Sequence, residues 1–255
     1  MRFRFLGTGT SMGVPVIGCA CAVCTSNDQR NRRTRTSALI RTAEQTILID
    51  AGPDFRAQAL AGSIQTIDAV LLTHSHFDHV AGLDDLRPLT FSGPPMPIYG
   101  SPTTLSDIRT RFAYAFDNSS EGSTRPSMGL CSVDAPFQLG SLLVRPLAVL
   151  HGTWTITAYR IGNLGYVTDA SAIPAESRTW LQGLDVLVLN ALRFDPHPTH
   201  FSLTQALEVI AELNPRRAYL VHMNHAVEHE SCQQSLPPNV FLAYDGLELT
   251  ISDQG

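Results

Sequence analysis

The sequence predicts a layered fold in which helices cover mixed β-sheets, of the α+β or α/β class, and two observations indicate it. Strand-like apolar segments recur along the whole chain with helical segments between them, which is the pattern of sheets covered by helices. The segment 68–73 is an apolar run between polar ends, as in a strand buried on both faces. Residues 1–255, of which 44% are hydrophobic, can bury one large core, so we expect a single domain.

The elements are predicted from apolar periodicity and from turn and capping residues. Strands are predicted at residues 2–5, 37–41, 46–50, 68–73, 97–99, 142–150, 155–161, 165–168, 186–189 and 218–221, and helices at 54–60, 82–89, 103–116 and 203–213. The last helix begins with a capping box at Ser202 and Gln205. Asp245-Gly246 predicts a terminal hairpin of strands 241–244 and 247–251. The segment 117–136, rich in Ser, Gly and Pro, predicts a flap or an oligomer contact.

Charge and hydropathy exclude several classes of protein. The chain has 18 Lys and Arg against 23 Asp and Glu, a net charge of −5, which gives no general attraction to nucleic acid or to anionic membranes. No apolar run approaches the roughly 18 residues that span a bilayer. The first residues alternate and then break at Gly7, unlike a secretory signal. We therefore expect a cytoplasmic protein without a membrane partner, and nucleic acid is a disfavoured partner.

The glycine-rich segment 7–13 has the spacing G-x-G-x-x-x-G. This spacing is one residue longer than the dinucleotide fingerprint, and Val14-Pro15 follow where a helix should begin. We interpret the segment as a tight loop near a functional site rather than as a nucleotide cradle.

Metal-ligating side chains are concentrated directly after the apolar strand 68–73, in the run His74-Ser75-His76-Phe77-Asp78-His79. Packing alone would not concentrate groups that cost so much to desolvate. Imidazole and carboxylate suit Zn²⁺, Mn²⁺ or Fe²⁺, and this loop could serve two metals if further ligands come from elsewhere. The chain offers His151, Asp169 and His222, each just past the end of a predicted strand.

The pattern H-x-H-x-D-H, followed in order by a histidine, an aspartate and a histidine, resembles the metallo-β-lactamase superfamily of binuclear hydrolases over nearly the whole chain. The resemblance implies a four-layer αββα sandwich with two metals at one edge, between the sheets. It also implies that His74, His76 and His151 bind one metal. Asp78, His79 and His222 would bind the other, and Asp169 would bridge the two.

A second metal site is predicted from three cysteines in a short loop, within residues 18–25. Cys19, Cys21 and Cys24 form C-x-C-x-x-C, and a tetrahedral structural zinc needs one more ligand. We expect His225 to be that ligand; the alternatives are His229 and Cys232, while Cys131 is interpreted as an ordinary free thiol. This loop, the glycine turn and the late His-x-x-His pair resemble the phosphoribosyl cyclic phosphate phosphodiesterases of bacterial phosphonate breakdown.

Other candidates lie around these ligands. The same resemblance implies that His200 donates a proton to the leaving group, with His197 as the alternative, and that Asp78 and His200 are the catalytic residues. Asp50 ends an apolar strand and is expected to orient a metal-binding imidazole. The run Arg30, Arg32, Arg33 and Arg35 is the only basic one, and one or two of its members could bind a phosphate.

The expected function is hydrolysis of a small phosphodiester, cyclic or linear, by two divalent ions, zinc or manganese, with one structural zinc elsewhere. Within the resembled superfamily, a glutamate in place of His76 would favour di-iron oxygen chemistry, so His76 favours hydrolysis. Some secreted lactamases carry a cysteine where this chain has Asp169, which disfavours antibiotic hydrolysis. The lack of an extended basic arm disfavours a transfer-RNA nuclease. Two alternatives stay open: a thioester or other ester hydrolase, and an accessory protein like the one associated with quinone-cofactor biosynthesis. The resemblance also suggests a homodimer.

Overall fold

Two seven-stranded β-sheets are present in the residues that the computed structural model describes, 1–117 and 124–252. The strands, in chain order, are β1 (Arg2–Gly7), β2 (Ser37–Arg41), β3 (Thr46–Ile49), β4 (Ala69–Leu71), β5 (Met96–Gly100), β6 (Met128–Ser132), β7 (Phe137–Leu139), β8 (Leu142–His151), β9 (Trp154–Ile161), β10 (Leu164–Val167), β11 (Val186–Asn190), β12 (Arg217–Val221), β13 (Val240–Leu242) and β14 (Glu248–Thr250). The α-helices are α1 (Phe55–Ala61), α2 (Phe77–Val80), α3 (Pro102–Arg111), α4 (Ala113–Phe116), α5 (Ala175–Trp180), α6 (Leu203–Leu213) and α7 (His229–Gln234). Two 3₁₀ helices span Gln29–Asn31 and Ala81–Leu89.

Both sheets are mixed. The first has the order β14-β1-β2-β3-β4-β5-β6, and its strands from β3 to β6 are parallel. The second has the order β13-β12-β11-β10-β9-β8-β7, and its strands from β10 to β13 are parallel. Because the carboxyl ends of parallel strands lie at one edge of a sheet, the loops that follow them are brought together there.

Alternating burial of strand side chains creates four layers. Neighbouring residues of a strand point to opposite faces. In β3, Ile49 lies in the apolar cluster between the sheets, whereas Leu48 packs in the cluster that includes α1 and α3. In β11, Val188 faces the first sheet, whereas Leu187 packs in the cluster that includes α6. The predicted αββα sandwich is therefore confirmed.

The prediction of a terminal hairpin is wrong, because the two strands belong to different sheets. β13 pairs in parallel with β12, and β14 pairs antiparallel with β1. The Asp-Gly turn is present, but the Asp245 carboxylate faces inward and accepts hydrogen bonds from Thr8 Oγ1 at 2.7 Å and from Thr34 N at 2.7 Å. The chain crosses from one sheet to the other at this turn.

The segment 117–136, predicted as a flap or an oligomer contact, contains a strand. β6 adds in parallel to β5 and forms the edge of the first sheet, so this part is sheet rather than flap. Residues 118–123 of the prediction lie outside the described residues.

Two predicted helices also differ in detail. The helix predicted at 103–116 is divided into α3 and α4, because Phe112 has φ −109° and ψ 35°, outside the helical region. The helix predicted at 82–89 is a 3₁₀ helix that contains Pro88, which cannot donate a backbone hydrogen bond. Among residues 1–117 and 124–252, no helix is both long and apolar enough to span a bilayer.

Candidate metal centre

The candidate centre lies where β3, β4, β8, β10 and β12 end. Asp50, Asp169 and His222 each follow one of these strands and have positive φ angles of 59°, 57° and 58°. Residues other than glycine rarely adopt this backbone conformation, and backbone strain of this kind concentrates at functional sites. These three residues turn sharply at the strand ends, at the edge where the predicted ligands meet.

The first group of donor atoms comes from His74, His76 and His151, which together lie within 4.8 Å of one another. His74 Nε2 is 3.0 Å from His76 Nδ1. His151 directs Nδ1 to the backbone oxygens of Asp169 at 2.7 Å and of Thr199 at 2.8 Å. Those contacts hold the proton on Nδ1, so Nε2 of His151 presents a lone pair to the centre.

The second group consists of Asp78, His79, Asp169 and His222, again within 4.8 Å. Asp78 Oδ2 is 3.3 Å from His79 Nε2 and 3.5 Å from His222 Nε2. Asp169 faces both groups, because its Oδ2 is 3.1 Å from His222 Nε2 and 4.0 Å from His74 Nε2. This position between the groups is the one that the resemblance implied for a bridging carboxylate.

Asp50 lies behind both groups and orients one imidazole of each. Its Oδ2 accepts a hydrogen bond from His79 Nδ1 at 2.7 Å and one from the Thr73 hydroxyl, also at 2.7 Å. The same hydroxyl is 3.0 Å from His74 Nδ1, so it accepts the His74 proton while donating its own to Asp50. Both imidazoles therefore turn Nε2 towards the centre, as the sequence predicted for an orienting carboxylate.

Charges at the centre stabilise one another despite burial. Burial alone would lower the pKa of His79, but the carboxylates of Asp169, Asp78 and Asp50 raise it well above its ordinary value. Burial would likewise raise the pKa of Asp169, yet His222 and His79 hold it well below its usual range. The carboxylates of Asp78 and Asp169 are therefore ionised at neutral pH, which favours a cation among them.

Three observations show that these residues fit metal ions. His79 Nε2 and both ring nitrogens of His222 are buried and make no well-aligned hydrogen bond among the described residues, although carboxylate oxygens lie 3.1–3.5 Å from the two Nε2 atoms. A buried polar atom without such a bond is costly. The donor set, imidazole with carboxylate, is the one that Zn²⁺ and Mn²⁺ accept. For ligands about 2.0–2.1 Å from a tetrahedral ion, donors should lie about 3.3 Å apart, and most of the distances above are close to that.

His200 lies beside the centre, and His197 lies behind it. His200 Nε2 is 3.2 Å from Asp169 Oδ2, whereas His197 Nδ1 faces His200 Nδ1 at 3.2 Å. Burial lowers the pKa of His200 to about 4. Of the two candidate proton donors, only His200 thus contacts a predicted metal ligand, Asp169.

The cysteine loop and His225 form a separate cluster. Nδ1 of His225 is 3.3 Å from Cys19 Sγ and 3.5 Å from both Cys21 Sγ and Cys24 Sγ. Zinc with sulfur at about 2.3 Å and nitrogen at about 2.05 Å would place these atoms about 3.6 Å apart, so the spacing suits a tetrahedral ion. The alternative ligands His229 and Cys232 are buried elsewhere, and Cys232 packs in the helix-covered core.

Thiol acidity in this cluster is uneven. The backbone N–H of Cys24 points to Cys21 Sγ at 3.5 Å and lowers the pKa of that thiol to about 6. Burial raises the pKa of the neighbouring Cys24 thiol to about 11. A thiolate at Cys21 is therefore available for a cation at neutral pH, since the thiolate is the form that binds metal.

Three members of the arginine run bind protein groups, so the expectation that one or two of the four could bind a phosphate stays a prediction. Arg30 pairs with Asp28 and Glu230, and Arg35 pairs with Asp54. The buried Arg33 guanidinium donates to the backbone oxygens of residues 224 and 227. It thereby supports the loop that carries His222 and His225.

Two contacts that hold the centre were missed in the sequence. The Asn190 side chain accepts a hydrogen bond from Ala170 N at 2.8 Å and donates one to Ala170 O at 3.0 Å, which fixes the backbone beside Asp169. Asp107 of α3 accepts a hydrogen bond from the Ser75 hydroxyl at 2.5 Å. Asn190 had a signal, a polar residue ending an apolar strand, whereas nothing in the sequence links Asp107 to residue 75.

Comparisons with known proteins agree with this geometry. A solved structure described as a new diphosphatase from the PhnP family is 41% identical, with a TM-score of 0.92, and the match covers 98% of this chain and 97% of that one. A protein of Porphyromonas gingivalis named octanoyltransferase is 44% identical over 260 residues, covering 100% of this chain and 52% of that protein. This chain thus spans about half the length of that relative.

A third relative, coenzyme PQQ synthesis protein B of Methylorubrum extorquens, is 35% identical over 122 residues, which are 42% of this chain and 40% of that protein. Residues 45–223 match the family described as the beta-lactamase superfamily domain. That segment includes all of the predicted active-site metal ligands. The chain therefore belongs to the metallo-β-lactamase superfamily.

Proposed function

We propose that the chain is a binuclear metal-dependent phosphodiesterase that acts on small phosphodiesters, cyclic or linear. The observation that carries the proposal is the position of His200 beside Asp169, which links a proton donor to the two groups of metal ligands. Support also comes from the 41% identical structure described as a diphosphatase, because a diphosphatase also breaks a phosphorus–oxygen bond.

His74, His76 and His151 would hold one divalent cation, Asp78, His79 and His222 the other, and Asp169 would contact both. Such a pair, of zinc or manganese, supplies Lewis acidity: it lowers the pKa of water and neutralises charge on phosphoryl oxygens. Cys19, Cys21, Cys24 and His225 would hold a structural zinc apart from the reaction.

The side chains of the centre would then position water and move one proton. Asp78 Oδ2, between His79 and His222, would accept the hydrogen bond that orients the attacking water. The water would lose one proton to bulk solvent, its oxygen would form the new bond to phosphorus, and the bond from phosphorus to the leaving oxygen would break in line. His200 Nε2 would donate a proton to that oxygen.

The protonated form of His200 needs a further anion beside it, because burial lowers its pKa to about 4 in the free site even with Asp169 Oδ2 at 3.2 Å. The phosphate of a bound substrate would bring that negative charge and raise the pKa. Binding of the substrate would therefore protonate His200, which then donates this proton to the leaving oxygen.

His200→Ala is expected to slow hydrolysis of alkyl phosphodiesters by about 10²–10⁴-fold, the usual contribution of a general acid. The loss should be small for bis(p-nitrophenyl) phosphate, whose leaving group needs no proton. His197→Ala, which removes the neighbouring imidazole, provides the matched comparison. Equal losses on both substrates, or a larger loss from His197→Ala, would remove His200 from the proposed role.

A second candidate function is favoured by one comparison, the 44% identity to a protein named octanoyltransferase. It would be hydrolysis of an acyl ester or thioester. The match covers only half of that protein, which can carry its named activity in its other half. Turnover of an octanoyl thioester at a higher kcat/KM than any phosphodiester would favour this candidate. Failure on both classes would favour an accessory role like that of the PQQ relative.

A further inference from the structure

We propose a second anion-binding site, for the phosphate monoester group of a small molecule, on the outer face of the second sheet around Arg145, Arg160 and Trp180. The site is a cavity of about 290 Å³, at the small end of the roughly 300–1,000 Å³ that ligand pockets occupy. It is separate from the metal centre and does not depend on the proposed function.

Two arginines lie directly opposite each other in this site. Arg145 of β8 and Arg160 of β9 are partners in the antiparallel ladder, so their Cβ atoms are about 4.5–5.5 Å apart on one face. Like charges at opposed positions repel. Consistent with this, burial and the charge of Arg145 lower the pKa of Arg160.

Nothing in the described residues neutralises this pair. The structure gives neither arginine an ion pair with a carboxylate in residues 1–117 or 124–252. Arg160 donates only to backbone oxygens, of Gly162 at 3.0 Å and of Trp180 at 2.9 Å. Two guanidinium groups without an anion are an arrangement that a dianionic ligand would stabilise.

Trp180 shapes the cavity and orients one of the guanidinium groups. It ends α5, so the helix stops before the far end of β8 and β9 and leaves their outer face open there. The Arg145 guanidinium stacks on the indole, with Cζ 3.6 Å from the ring centre. A stacked guanidinium keeps its in-plane N–H donors free, in the fork that matches phosphate oxygens.

The remaining walls favour a small organic phosphate over a free ion. Leu143 lines the cavity and is 46% exposed, so an apolar part of the ligand would cover its side chain. The site lies about 20 Å from the metal ligand His151, because six residues of β8 separate Arg145 from it at roughly 3.3 Å each. Ligand bound there cannot touch the reacting atoms.

Trp180 makes the proposal directly testable, since the chain has only 2 tryptophans. The other, Trp154, packs on His76 of the metal centre with ring centroids 5.1 Å apart. The two indole N–H signals in a ¹H–¹⁵N NMR spectrum, assigned with Trp180→Phe, therefore report on the two sites separately. The metal-loaded protein would be titrated with methyl phosphate, and with dimethyl phosphate and acetate at matched ionic strength.

We expect a saturable shift of the Trp180 signal with methyl phosphate, and weaker binding of the two monoanions. Arg145→Ala and Arg160→Ala should each weaken binding by about tenfold or more, the loss of one hydrogen-bonded charge. Arg145→Lys, which keeps the charge but not the stacked fork, should also weaken it. Arg216→Ala, an exposed arginine outside the cavity, is the charge control and should have little effect.

Three results would overturn the proposal. One is a Trp180 signal that does not move with methyl phosphate, or that moves without saturating. Either result would overturn the proposal whether or not the Trp154 signal responds. Another is an equal loss in all three alanine variants, which would indicate general attraction by charge. The third is acetate binding as tightly as methyl phosphate, which would make the ligand a carboxylate.

Discussion

A single buried carboxylate, Asp50, orients one imidazole in each of the two groups of predicted metal ligands. It accepts a hydrogen bond directly from His79 and another from the Thr73 hydroxyl, which in turn contacts His74 Nδ1. Its φ of 59° shows that the backbone is strained to place it there. The two sites are therefore coupled through one residue that is no predicted ligand of either.

Asp50→Asn is expected to weaken metal binding by about 10–100-fold, the usual cost of removing such a partner. The amide cannot accept from both His79 and Thr73 without also directing an N–H at one of them. Competition with a chromophoric chelator would measure the affinity. Glu44→Gln, an exposed change at the opposite end of β3, is the matched control. Unchanged affinity in Asp50→Asn would refute the orienting role.

Asp245 gives a pH-dependent prediction away from the metals. Burial raises the pKa of its carboxyl to about 6, despite hydrogen bonds from Thr34 and Thr8. Because the unfolded value is about 3.9, the folded state binds this proton more tightly. The resulting contribution to stability is complete below about pH 4 and is lost as pH rises through about 6.

Asp245→Asn, which has the same shape and no charge, should lack this loss. Between about pH 4 and about pH 7 the variant should gain roughly 2–3 kcal/mol of unfolding free energy relative to the parent. Urea unfolding of both proteins at both pH values measures the difference, in which effects of the metals cancel. Parallel pH profiles would show that the carboxyl titrates normally in the folded protein.

At the scale of elements, the cysteine loop and the loop after β12 are held together at several points. His225 reaches the three cysteines, and Arg33 binds the backbone at Asn224 and Val227. Met223 also exchanges hydrogen bonds of 3.1 Å with Thr8 and Thr10 of the glycine turn. A zinc ion at the cluster would therefore stabilise the loop that begins with the metal ligand His222.

Cys21→Ser is expected to remove one zinc per chain and leave the two active-site ions in place. It should lower Tm by about 5–10 °C, since each ~1 kcal/mol lowers Tm by about 2–4 °C at this chain length. Metal analysis by mass spectrometry and a thermal scan on the same sample test both effects. Cys131→Ser removes a thiol outside the cluster and should change neither. Unaltered zinc content in Cys21→Ser would contradict the structural site.

At the scale of the whole molecule, the layers could be predicted from the sequence because they depend on local signals. The apolar run of β4 and the capped, one-sided helix α6 identify themselves without knowledge of their partners. The terminal hairpin could not be predicted in the same way. An Asp-Gly turn between two strands is a strong local signal, but Thr8 and Thr34, which bind Asp245, are more than 200 positions away.

The same distinction holds for the centre. That its seven predicted ligands lie close together could be expected from the sequence, because they occur in the run after β4 or at strand ends and because their order resembles a known family. The protein partners of the arginine run, such as Glu230 and Asp54, could not be predicted because they come from distant segments. The Asp107 contact with Ser75 was missed for the same reason. A homodimer and a cytoplasmic location stay predictions.

The central claim is that seven side chains from four segments bind two cations side by side. An X-ray anomalous difference map of crystals grown with excess zinc or manganese tests it most directly. We predict two peaks about 3.5–4 Å apart, one among His74, His76 and His151 and the other among Asp78, His79 and His222, with Asp169 touching both. A single peak, or peaks away from these side chains, would contradict the account.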